Sequence, residues 1–407
     1  LVERRAQALA AAFPDPDAAR RHAAAVKDHV LANLGALLQQ FEGRARANGI
    51  EVVWARDADE AVRAVLGCCP PRPARIVKGK SMATEEIGLN AALEAAGHQV
   101  VETDLGEYVA QLDGDHPSHI VAPIIHKDRA DAARAFRQAG VALGSDDPGE
   151  IASAARSRLR EEFRNADVGV SGANFCIAET GRIVIVENEG NNRLSTTAPA
   201  VHVVVAGIER LLPREADLAL FLPLLAGSAT GQAATVYTHF VTGPRAEDEP
   251  DGPERVVLVL LDNGRSRVRA GPQRAVLRCL RCGACLNVCP VYRQVSGHAY
   301  RNVYSGPLGA VLAPSMAEDG RYSDLPFAST LCGACRDVCP VDIPIPDMLL
   351  RLRASSPRRQ RARWALWQAV ASWPAAWRAL IRLALAHGRE WRAGHARPDP
   401  HDGADDA

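Results

Sequence analysis

The run Cys279-Leu280-Arg281-Cys282-Gly283-Ala284-Cys285-Leu286-Asn287-Val288-Cys289-Pro290 holds four thiols at spacings of two, two and three intervening residues, closed by proline. This is the spacing of bacterial ferredoxins, where thiolates hold an iron–sulfur cubane. Three thiolates from one tight loop can cap three irons, while the fourth, on the following helical turn, points to a second cluster. Gly283 and Ala284 are small enough for the backbone to approach inorganic sulfide and donate N–H groups to it.

A second run, Cys332-Gly333-Ala334-Cys335-Arg336-Asp337-Val338-Cys339-Pro340, repeats the motif. Crossing the two runs by the ferredoxin rule gives one full set: Cys279, Cys282, Cys285 and Cys339. The remainder, Cys289, Cys332 and Cys335, is one thiolate short, and Ser329 stands where the missing cysteine belongs. Three outcomes stay open there: a serine oxygen or other non-cysteine ligand, a [3Fe-4S] cluster, or a [4Fe-4S] cluster with one open iron. Structural zinc is the rival, since C-x-x-C pairs also build tetrahedral sites. Seven cysteines divide badly into fours, and His298 lies in a glycine-flanked loop nine residues after Cys289. Two iron–sulfur clusters, expected as [4Fe-4S], are the favoured cofactors.

The 407 residues suggest two or three domains. Hydrophobic residues make up 47% and charged residues 24%, a globular composition. Basic and acidic residues balance at 48 each, which argues against nucleic acid as the main partner. Of ten cysteines, Cys68, Cys69 and Cys176 lie outside the two runs and read as small buried apolar residues. Clustered cysteines in a large chain, with no signal peptide and no apolar run of membrane-spanning length, point to the reducing cytoplasm. The chain begins at Leu1, which leaves room for a missing upstream piece. No G-x-G-x-x-G follows a strand, so electrons are expected to pass to and from other polypeptides or small carriers.

The elements that must position these thiols divide the chain in four. Residues 1–66 read as an N-terminal helical region, with Glu51–Trp54 as a short strand inside it. Residues 67–262 alternate strands and helices, which argues for an α/β domain with a mainly parallel sheet. Its strands are read at Ile76–Val77, His98–Glu102, His119–Ala122, Val168–Val170, Arg182–Val186, Val201–Val205 and Arg255–Leu261, with one helix over Thr84–Ala96 and another ending at Gln138. Residues 271–352 form an α-helical dicluster ferredoxin-type module. Residues 353–407 form a helical tail rich in arginine and tryptophan (Trp364, Trp367, Trp373, Trp377, Trp391), with an acidic, disordered end. Arg378 and Arg382 argue against a membrane span there.

Several motifs of the α/β half resemble lactate utilisation protein B. They are Lys78-Gly79-Lys80-Ser81-Met82-Ala83-Thr84-Glu85-Glu86-Ile87-Gly88-Leu89-Asn90, Glu102-Thr103-Asp104-Leu105-Gly106-Glu107-Tyr108 and Pro117-Ser118-His119-Ile120-Val121-Ala122-Pro123. Ser171–Gly181, Glu187–Asn191 and Ser305–Ala310 continue the likeness into the cysteine module. That family also has seven cysteines, so Ser329 looks typical of it. The resemblance implies a cytoplasmic iron–sulfur subunit that acts with two partner subunits in oxidising L-lactate to pyruvate. It also implies an α/β domain like those of ribose-5-phosphate isomerases, sugar-phosphate deaminases and CoA transferases, which bind anions at loops after the strands. Two rivals follow: an α/β domain with its own acyl, CoA-type or sugar-phosphate chemistry beside structural clusters, and a redox-sensing regulator.

Two loops of the α/β half suit an anion or acid–base site. Lys78, Lys80 and Ser81 follow a strand and precede a helix, with Glu85 and Glu86 in its first turn. Glu179 and Glu187 flank the Arg182–Val186 strand as weak candidates for a general base, against plain loop hydrogen bonding. Asn174 and Asn191 read as turn residues able to orient a substrate. His98, His116, His119, His126, His202 and His239 show no metal-binding spacing.

Overall fold

Val256, Leu258 and Leu260 pack into one apolar core, while Val257, Val259 and Leu261 of the same strand pack into another. A strand buried on both faces needs cover on both, which the crossover helices of a parallel sheet supply. The computed structural model, which describes residues 2–355 and 358–383, has that arrangement. Its strands are β1 (Glu51–Ala55), β2 (Arg75–Lys78), β3 (Gln99–Glu102), β4 (Val168–Gly172), β5 (Phe175–Ile177), β6 (Ile183–Glu187), β7 (Val201–Gly207), β8 (Leu211–Leu212), β9 (Tyr237–Val241) and β10 (Arg255–Leu261).

Six strands form one parallel sheet in the order β1-β10-β7-β4-β2-β3. One face carries Leu34, Leu38 and Phe41 of helix Leu34–Ala47. The other carries Ala61 and Val65 of helix Ala58–Leu66 and Leu89 and Leu93 of helix Leu89–Ala95. A third core around Phe136 joins helices Leu105–Leu112, Arg129–Gln138 and Pro148–Arg164 to Val77 and Val101. Carboxylates set the helix starts: Asp57 Oδ1 accepts from Glu60 N at 2.9 Å, and Asp128 and Asp131 cap reciprocally. Cys68 and Cys176 lie in the apolar cores.

The structure departs from the sequence reading in four places. β1 pairs along its whole length with β10, so the sheet takes in residues assigned above to the N-terminal helical region. Arg182–Val186 does not join the parallel sheet; β6 lies in a second sheet, β8-β5-β6-β9, antiparallel to β5 and β9. The Thr84–Ala96 helix is broken at Gly88, whose φ of 64° starts a new helix. His119–Ala122 is a bend, because its apolar residues pack against the cysteine module and not on a sheet neighbour.

Residues 1–351 form one compact unit and the chain from Leu352 another. The second contains helix Arg358–Ala371, in which Trp364 and Trp367 stand edge to face at 5.9 Å; Trp367 meets Trp377 at 6.1 Å. Trp391 and the acidic end fall outside the described residues. Among the described residues no helix is long and apolar enough to cross a membrane.

Candidate metal centre and adjoining cavity

The two cysteine runs fold into loops with the same backbone. Arg281 (φ 62°) and Gly283 (φ 70°) bracket Cys282, and Leu331 (φ 57°) and Gly333 (φ 88°) bracket Cys332. Left-handed residues on either side of a cysteine curl the loop so that its thiols converge. In each run a short helix follows, Ala284–Val288 and Ala334–Asp337. Cys289 then caps helix Pro290–Val295, its Sγ accepting from Tyr292 N at 3.5 Å.

Cys279, Cys282, Cys285 and Cys339 line a single cavity, closed by Ile120, Leu308, Val341, Ile343 and Ile345 among others. Backbone N–H groups already serve its sulfurs: Arg281 N donates to Cys279 Sγ at 3.3 Å and Ile343 N to Cys339 Sγ at 3.4 Å. None of these cysteines forms a disulfide. Burial, reinforced by neighbouring thiols, pushes Cys282 up to about 12 and Cys285 well above the usual thiol range; Cys339 rises to about 11. Four thiols converging on an otherwise apolar cavity are poor packing, whereas a thiolate-bound metal removes the cost of deprotonating them. The donor set fits an iron–sulfur cluster.

The other three cysteines are also neighbours. Burial raises Cys335 to about 12, with Cys289 and Cys332 adding to the rise. Cys332 is exposed, and the Ala334 N–H followed by the Thr330 hydroxyl lowers its pKa. Ser329 is half-buried, with its Oγ accepting from Leu331 N at 3.1 Å.

The N-terminal helices and the α/β layer grip the module by polar contacts. Arg20 donates to the carbonyls of Cys339 (2.8 Å) and Arg336 (2.9 Å), and Arg278 pairs with both carboxylate oxygens of Asp28 at 2.8 and 2.6 Å. Tyr292 Oη donates to Ser118 O at 2.6 Å. Arg265, buried, takes both oxygens of Glu86 (2.9 and 2.7 Å), while its Nε lies 2.7 Å from Glu209 Oε2. His119 stands beside the first loop: its Nδ1 accepts from Val121 N and Ala122 N, and burial pushes its pKa down to about 4.

A second cavity, of about 300 Å³, opens at the carboxyl ends of β2, β4 and β7. The chain leaves β2 for β3 on one side and β4 for β7 on the other, so this is the switch point where open α/β sheets bind ligands. Its walls include Lys80, Ser81, Asn174, Glu187 and Arg210, and from the cysteine module Leu280 and Arg281. Ile120 and Leu280 line both cavities, so one apolar layer divides them.

The candidates read from the sequence separate here. Lys80 and Ser81 reach the cavity, although Lys80 Nζ already lies 3.3 Å from Asp104 Oδ2. Lys78 does not serve an anion: fully buried, it pairs with Glu102 Oε1 at 2.8 Å, the residue opposite it in the β2–β3 register. Glu187 lines the cavity, but its oxygens accept from Asn192 N (2.7 Å), Arg193 N (2.8 Å) and His239 Nε2 (2.6 Å), so it anchors a helix start. Glu179 accepts from Glu215 N and is not among the cavity's lining residues. Asn174 Oδ1 ties down Val186 N, and Asn191 lies buried between Thr103 and Glu187. Arg210 and Arg281 escaped the sequence reading; a charged residue set between two cysteine ligands was the available signal. Asp115, His126 and His298 bring ligand atoms within 4.8 Å of one another, but Lys127 Nζ, 2.8 Å from Asp115, supplies the cation there.

Comparison with known proteins matches residues 38–261 to the family model of the LUD domain and residues 275–343 to the 4Fe-4S dicluster domain. The electron transport protein YkgF of Escherichia coli is 44% identical over 91% of this chain and 80% of its own. Lactate utilization protein B of Macrococcus caseolyticus is 48% identical over 82% of this chain and 70% of its own. That of Anoxybacillus flavithermus is 45% identical over 82% and 71%.

Proposed function

Since the chain belongs to the LUD-domain iron–sulfur family that includes lactate utilization protein B, we propose that it is the electron-conducting subunit of a system oxidising L-lactate to pyruvate. In this reading it acts in the cytoplasm with two partner subunits and passes electrons between a donor and an acceptor outside this chain. Cys279, Cys282, Cys285 and Cys339 hold one [4Fe-4S] cluster, and Cys289, Cys332 and Cys335 hold a second whose remaining ligand position falls near Ser329.

The observation that carries the proposal is the convergence of four thiols from two distant runs on one cavity. The clusters supply one-electron storage when bound. The chain's own residues surround the inner set with apolar side chains, donate N–H groups to its sulfurs and leave Cys332 at the surface, where a partner can approach. Anaerobic purification with iron and sulfide counting, and EPR of oxidised and reduced protein, tests this. About eight irons, or about seven with an oxidised three-iron signal, are expected; zinc in their place ends the proposal. Loss of lactate oxidation by the reconstituted system on Cys282→Ser replacement tests the assignment to that pathway.

A further inference from the structure

Arg281 is nine-tenths buried and lines the switch-point cavity, yet its Nε and Nη1 have no hydrogen-bond partner among the described residues. Among the described residues its acidic contact is Glu209 Oε1, 3.5 Å from Nη2, and its guanidinium lies over the Tyr304 ring at 4.4 Å. Arg210, beside it in the wall, touches the same carboxylate only at 4.0 Å. Glu209 is meanwhile engaged by Arg265 at 2.7 Å. Three arginines (Arg210, Arg265 and Arg281) thus meet two carboxylates (Glu86 and Glu209), and the surplus positive charge faces the cavity. Unpartnered buried N–H groups are costly, and a planar guanidinium pairs best with a carboxylate or phosphate.

We propose that this cavity binds a small organic oxyanion, a carboxylate or phosphate ester, through Arg210 and Arg281, and that its occupancy is felt by the inner cluster. The volume of about 300 Å³ is at the small end for ligand pockets. Asp104, Glu187 and Glu189 on the walls disfavour a second anionic group, so the ligand carries its charge at one end. Coupling follows from covalent adjacency: Arg281 sits between Cys279 and Cys282, and its own N–H serves Cys279 Sγ. An anion on its side chain places negative charge one layer from the cluster, behind Ile120 and Leu280, and disfavours reduction. By reciprocity the oxidised protein binds the anion more tightly than the reduced protein. The binding claim stands without the clusters; the coupling claim rests on the cluster assignment proposed above.

The test uses the anaerobically purified full chain with counted iron, and titrates acetate and inorganic phosphate against matched chloride by calorimetry and redox potentiometry. One of the two probes is expected to bind, which separates a carboxylate from a phosphate ligand. Arg210→Gln, at a position outside the cysteine runs, is expected to weaken that binding about tenfold or more. Arg281→Lys is expected to do the same, with iron content held. The bound probe lowers the midpoint of the inner cluster in the wild type and not in Arg210→Gln. Failure of both probes to bind, or equal affinity in Arg210→Gln, overturns the proposal. A midpoint changed by Arg210→Gln without probe binding makes the arginines counterions of the cluster and also overturns it. Probe binding with no iron present leaves the binding site standing and removes the cluster assignment instead.

Discussion

The two cysteine loops share a backbone and differ in what surrounds them. Around the first loop, a Cβ added at Gly283 would meet His119 Cε1 at 3.2 Å and Val121 Cγ2 at 3.4 Å. Around the second, a Cβ at Gly333 would meet nothing within 4 Å. Cys282 is buried, and its counterpart Cys332 is exposed. The local motif therefore sets ligand geometry, while the α/β layer decides which loop faces inward. In electron-transfer terms, Cys332 gives the second set a point of access from outside that Cys282 does not give the first.

The contrast breaks most directly at Arg265. Replacing it with methionine leaves Glu86 and Glu209 as buried charges short of a partner, at a cost of about 3–5 kcal/mol. Urea denaturation should register that loss, and a chelator should then strip iron from the inner set as readily as from the outer.

The glycines sharpen the comparison. Gly333→Ala pays only for a left-handed alanine, about 1–2 kcal/mol. Gly283→Ala pays that and must also push His119 aside, adding about 1 kcal/mol or more. Thermal melts of the two variants should rank in that order; equal losses would mean that the wall around the first loop yields freely.

Metal-free protein offers a chemical version. Of the seven clustered thiols, Cys332, exposed and with its pKa lowered, should be alkylated first, and Cys282, buried and pushed up to about 12, among the last. A rate ratio of at least about tenfold is expected by timed mass spectrometry.

One effect leaves the contrast untouched, because both loops share it. His202, buried on β7 with Nε2 2.8 Å from Ser171 Oγ, is pushed by burial from 6.5 to about 3. Below pH 6.5 the unfolded chain takes a proton that the folded chain refuses. Stability is therefore complete above pH 6.5 and falls as the pH drops toward 3, by up to about 1.4 kcal/mol per unit. His202→Gln should flatten that slope without changing the ranking of the loops.

What the sequence made legible was local. Cysteine spacing fixes loop geometry within a dozen residues, and β-branched runs such as Val201–Val205 announce buried strands wherever they end up. Partnership across the chain was less legible. Lys78 looked like an anion ligand because its loop is basic, but Glu102 meets it from the next strand at the same register. Helix Pro148–Arg164 went unread because alanine and arginine dominate it, and only Ile151, Ala155, Leu159 and Phe163 are buried on its inner stripe. The cavity was out of reach, since Arg210 and Arg281 meet only once the sheet and the module have docked.

That docking has a consequence in time. Arg265 ties together Glu86 near the start of the sheet and Glu209 beyond β7, and it follows the last strand. Contacts of such long sequence separation form late, after the entropy of closing the intervening chain has been paid. The first loop can thus acquire its His119 wall only after the sheet has closed, and the second its Arg20 contacts only once the N-terminal helices have docked. Both thiol sets draw on both runs, so iron offered to the nascent chain meets neither in final form. How late the wall of the inner site forms is written into the position of one arginine.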